Sequence, residues 1–152
     1  MTDTIQRGIY AGLAGSMGDL VIHSIGYFIF GTTLTAHYIS QLIFPFAKVT
    51  AIKFAFGLAT HLFVGAIAGI LLALIFQKFG SDYPYYKGVG LGIVLWIAHV
   101  AVIPNLVAPR PYLYRTELEA LVDLIAHTTF GVLSTLYLLR TTKNIKQHLD
   151  TE

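Results

Sequence analysis

The sequence predicts an all-α protein, a bundle of four transmembrane helices built as a tandem duplication of one helical hairpin. Three observations carry this prediction. The chain has four apolar runs that each reach the roughly 20 residues a helix needs to cross a bilayer. Charged residues make up only 12% of its 152 positions, too few to give a soluble domain of this size a polar shell. Gly and His recur at matching separations in the two halves.

The first run spans about 8–30 and is too long for the apolar core of a cleavable signal peptide; Asp19 and His23 also interrupt it. The link 31–49 is half apolar, with Tyr38, Phe44, Pro45, Phe46 and Lys48, and reads as an interfacial or re-entrant segment. The second run covers about 50–79. A turn, "GSDYPYYKG", separates it from the third, about 87–107, and "APRPYLYRTE" separates that from the fourth, about 118–139. Both turns combine Pro, Tyr and charge. Tyr83, Tyr85, Tyr86, Tyr112 and Tyr114 stand where an aromatic belt meets the headgroups. Residues 141–152 read as a short polar tail with no soluble domain.

Lys and Arg give the orientation. One face carries Arg7, Lys78, Lys87, Arg140, Lys143 and Lys146, and the other carries Lys48, Lys53, Arg110 and Arg115. The excess predicts that both termini are cytoplasmic. A net charge of +2 without a basic cluster gives no reason to expect a nucleic-acid partner. Absence of cysteine excludes disulfides, iron–sulfur clusters and thiolate zinc sites.

The duplication is gap-free. "ATHLFVGAIAGILLAL" (59–74) aligns with "IAHTTFGVLSTLYLLR" (125–140), and "GLAGSMGDLVIH" (12–23) with "GVGLGIVLWIAH" (88–99). Each helix then has one histidine near the middle of the membrane: His23, His61, His99 and His127. Spacings of three and four put Gly12, Gly15, Asp19 and His23 on one face of the first helix. The same spacings put Gly57, His61, Gly65 and Gly69 on one face of the second, and Asp123, His127, Gly131 and Ser134 on one face of the fourth. Small residues let helices approach closely in lipid, and a carboxylate facing lipid costs several kcal/mol, so these faces should point inward. Asp19 and Asp123 each precede a histidine by four residues. If the first and fourth helices are neighbours, each Asp can reach its own His or the other helix's His. At the entrance to the fourth helix, Arg110 and Arg115 are expected to pair with Glu117 and Glu119, chiefly as a helix cap.

His-x-x-x-Gly in the second helix, "KGVGLGIVLW" closed by Pro104 in the third, and "AHTTFG" in the fourth resemble small, largely uncharacterised inner-membrane proteins of the YagU and YqhR types. The resemblance covers about 57–139. It implies four membrane helices in a prokaryotic inner membrane, with the histidines of the second and fourth helices, His61 and His127, as the shared feature. It does not extend to Asp19, His23 or His99.

Three readings of the His/Asp set follow. In the first, His23, His61, His99 and His127, with Asp19 and Asp123, bind a metal ion, or two of the histidines clamp a b-type haem; imidazole and carboxylate suit iron, zinc, manganese or nickel. In the second, intramembrane ionisable groups mark a proton-linked transporter or channel, assembled as a homo-oligomer because four helices enclose little space. In the third, the chain is an accessory membrane subunit and the histidines only bind helices together. An enzyme ranks last, because no Ser–His–Asp order, phosphate loop or HExxH motif is present, and no catalytic residue is assigned.

Overall fold

The structure, a computed structural model, describes residues 4–45, 47–106 and 113–149, with 143–149 described as backbone only. It has helices α1 (Thr4–Phe30), α2 (Thr35–Ile43), α3 (Ala51–Phe79), α4 (Pro84–Leu106) and α5 (Glu117–Leu149). No strand occurs among the described residues. The helices α1, α3, α4 and the stretch Glu117–Thr142 of α5 are long and apolar enough to span a membrane. The chain is an integral membrane protein, with four spanning helices and one short one among the described residues.

The four spans pack in the order α3–α1–α5–α4, with α3 and α4 scarcely touching. α2 closes back onto α3. The two hairpins use equivalent positions. Gly12 of α1 meets Gly65 and Gly69 of α3, while Gly88 of α4 meets Gly131 and Thr135 of α5. These are the partners that the gap-free alignment pairs. At each contact a Cβ would run into the facing helix, so the glycines set the interhelical distance.

Around these contacts, in the half of the bundle nearest the chain's ends, lies the apolar core of Ala11, Leu72, Ala73, Leu91 and Leu138. Two cations fasten that end. Arg7 donates to the Leu138 carbonyl (3.1 Å) and to Thr141 and Thr142, joining α1 to α5. Lys87 donates to the Phe79 and Gly80 carbonyls (3.0 and 2.8 Å), which α3 leaves open as it ends on Gly80 in a positive-φ conformation (73°).

Three expectations change. α5 runs to Leu149, so the polar tail is helical through that residue; hydropathy marks where a helix leaves lipid, not where it stops. The segment 31–49 is not only interfacial. It contains α2, whose Tyr38 is buried in the bundle. Pro104 does not end the third span, because a π-turn over Ala98–Val102 carries the helix through it to Leu106. Proline has no N–H. In an i→i+5 register its missing donor belongs to the His99 carbonyl, and the Tyr38 hydroxyl fills that place at 3.3 Å. Arg110, Tyr112, Phe46 and the expected helix end at 107 lie outside the described residues.

Candidate intramembrane charge cluster

Four helices deliver one polar cluster in the half of the bundle that carries α2. At roughly 1.5 Å per residue, Asp123 and His127 lie about 9 and 15 Å inside the start of α5, and His61 about 15 Å inside the start of α3. α1 and α5 are antiparallel neighbours, so Asp19 and His23 meet Asp123 and His127 crosswise. His23 Nε2 lies 3.7 Å from Asp19 Oδ1 on its own helix and 3.5 Å from Asp123 Oδ1 on the other. His127 Nδ1 lies 3.8 Å from Asp19 Oδ2. His61 reaches in from α3, its Nε2 3.5 Å from Asp19 Oδ1. The Asp19 carboxylate therefore touches three imidazoles from three helices. Both aspartates are buried, at 2% and 1% exposure, and neither faces lipid.

Among the described residues, the cluster's permanent cation is Arg115. It sits in the turn before α5 with its side chain 3% exposed, and its Nε lies 3.0 Å from Asp123 Oδ2. Its guanidinium stacks on the Tyr38 ring at 4.0 Å, and Nη2 is 3.3 Å from His99 Nε2. Sequence reasoning placed Arg115 in a helix cap. The cap exists, but Thr116 and Glu119 form it: the Glu119 N–H donates to Thr116 Oγ1, and the Thr116 N–H donates to Glu119 Oε2. Arg115 is 3.8 Å from Glu119, so this is the weaker of its carboxylate contacts. Glu117 is exposed. Two aspartates set in apolar helices call for a buried cation, and that charge imbalance was the available signal. Tyr38 carried no comparable signal, because its burial depends on α2 folding inward.

Hydrogen-bond partners fix the tautomers. Arginine only donates, so His99 Nε2 accepts, and its ring carries the proton on Nδ1. His127 Nδ1 donates to the Asp123 carbonyl at 2.8 Å, which leaves Nε2 with the lone pair. His61 Nε2 donates to the Ser16 carbonyl at 3.4 Å, which leaves Nδ1 with the lone pair. Beside these rings, between α3 and α4 and under α2, lies a cavity of about 250 Å³. Ser16, Asp19, Tyr38, Thr60, His61, His99 and His127 line it along with apolar side chains. Asp19 Oδ1 and Ser16 Oγ are buried there without a hydrogen-bond partner.

All six residues singled out in the sequence thus share one cluster. Their geometry does not fit a metal: among the described residues no three His, Asp or Glu side chains converge on a point that would hold an ion. The Arg115 guanidinium already occupies the space between His99 and Asp123. The His99 and His127 rings lie 5.3 Å apart, too close for a haem between that pair. No family model, curated protein or solved structure matches the chain.

Proposed function

We propose that this protein is a proton-exchanging membrane transporter whose proton site is Asp19 and the imidazoles around it. The observation that carries this is a charge count. Among the described residues, the buried cluster holds two carboxylates, Asp19 and Asp123, and one permanent cation, Arg115, which pairs with Asp123. Among the described residues, only imidazoles stand beside Asp19 as bases that can become positive. A lone buried carboxylate in a membrane interior is strongly disfavoured, so the site needs one further positive charge. A proton shared among Asp19, His23, His61 and His127 supplies it. Three imidazoles within 4 Å of the carboxylate give that proton several resting places, from which it can move toward the cavity. The Lys/Arg distribution supports cytoplasmic termini, and the resemblance to YagU- and YqhR-type proteins supports a prokaryotic inner membrane. Four helices enclose a small path, which favours a homo-oligomer.

The test is infrared difference spectroscopy of purified protein across a pH titration. The expected result is a protonated-carboxyl band that comes and goes with pH and is missing from Asp19→Asn. A spectrum with no titrating carboxyl, or one unchanged in Asp19→Asn, overturns the proposal.

A further inference from the structure

Asp19 and Asp123 open the same short motif, Asp-Leu-aliphatic-X-His, on two antiparallel neighbours, yet their surroundings differ. Asp123 faces the Arg115 guanidinium, which lies against the Tyr38 ring. Asp19 faces a cavity, has no permanent cation beside it among the described residues, and its Oδ1 is buried without a hydrogen-bond partner there. Building on the proton-exchange reading, we infer that the cavity beside Asp19 binds a small organic cation of the guanidinium or ammonium type in place of the shared proton.

The lining fits a hydrogen-bond donor with positive charge. The tautomers leave lone pairs on His61 Nδ1 and His127 Nε2, and the Asp19 carboxylate adds two acceptor oxygens. The Ser16 and Thr60 hydroxyls can accept as well. Tyr38, already stacked on one guanidinium, forms part of the wall, where an aromatic face favours a cation. An anion would meet the Asp19 carboxylate. A volume of about 250 Å³ falls below the range of drug-sized sites and, since about 150 Å³ holds benzene, limits the guest to about ten heavy atoms. The exchange balances charge: one monovalent cation enters, and one proton leaves the Asp19–imidazole group. The buried net charge is the same before and after.

Guanidinium is a suitable probe, because it stays protonated at any working pH and does not cross lipid as a neutral base. At millimolar concentration, with purified protein in weakly buffered detergent and a pH indicator, binding should release about one proton per protein on the charge count above. Asp19→Asn should weaken binding at least about tenfold, the effect of losing a buried charged partner. Ala68→Leu serves as a second variant. It puts a larger side chain into the cavity wall and replaces no titratable group. It should lose guanidinium binding while keeping the titrating carboxyl band. Absence of guanidinium binding with that band intact overturns the cation site and leaves the proton site standing. Loss of the band itself overturns both. Guanidinium binding that persists in Asp19→Asn and Ala68→Leu, or binding of acetate instead, also overturns the inference.

Discussion

The two halves of this bundle, one nearest the chain's ends and one beneath α2, are built on opposite principles. In the first, glycines bring backbones into contact, and the core is Ala, Leu and Phe. In the second, the same helices carry aspartate, histidine and arginine between them, and a short helix folds inward to cover them. The stripe of small and polar residues runs along each span and carries a histidine near the middle, joined in α1 and α5 by an aspartate. Close packing needs no side chain, whereas a buried charge needs partners at defined distances. On the proton-exchange proposal, one half acts as a scaffold while the other carries the groups that gain and lose protons.

The largest test of this contrast is Gly12→Leu. A side chain there strikes the Gly65 carbonyl and the Ala66 backbone, so the α1–α3 contact cannot form. The expected outcome is loss of monodisperse protein on size exclusion in detergent. Gly90→Ala, which meets nothing within 4 Å, should elute as the native chain does. Equal behaviour of the two variants would remove the scaffold half from the comparison.

Arg115→Met comes next. It leaves Asp123 buried without its cation, a change that costs about 3–5 kcal/mol. Unfolding in mixed micelles should show this loss, and Arg115→Met with Asp123→Leu should recover most of it. If the double variant is no better than the single one, Arg115 matters for something other than that charge.

Asp19→Asn should move the other way. It removes the uncompensated carboxylate and should raise stability by about 0.5–2 kcal/mol, as groups kept for activity often do when replaced. A clear loss of stability would mean that Asp19 holds the helices together, which favours a purely structural cluster. The smallest effect is Tyr38→Phe, which removes the hydroxyl on the His99 carbonyl and should cost about 1 kcal/mol on thermal unfolding. No change would mean that α2 is held by its packing on α3 alone.

The sequence made much of this legible. Apolar run lengths placed all four spans, and helical spacing put Asp19, His23, His61, His99, Asp123 and His127 on inward faces. The crossing of the two Asp–His pairs followed from α1 and α5 being neighbours. The rest lay outside periodicity, which ranks residues within a helix and says nothing of turns. Arg115 stands in a turn, and its burial arises only when Tyr38 and Asp123 arrive from elsewhere. Pro104 gave a misleading signal, because a proline ends a helix only when nothing else satisfies the carbonyl it abandons.

The π-turn in α4 also bears on how the two hairpins diverged. A π-turn is a helix with one residue inserted, and each residue in an α-helix advances the face by about 100°. Through His23 and His99 the first and third spans keep step, since the turn begins only at Ala98. Beyond it they fall out of phase: Ile103 and Pro104 present a face that no gap-free comparison with α1 assigns. A single inserted codon in an ancestral repeat would produce this slip. Deleting one residue from 98–102 should undo it, turning the end of α4 away from Tyr38 while the glycine contacts at Gly88 stay in register.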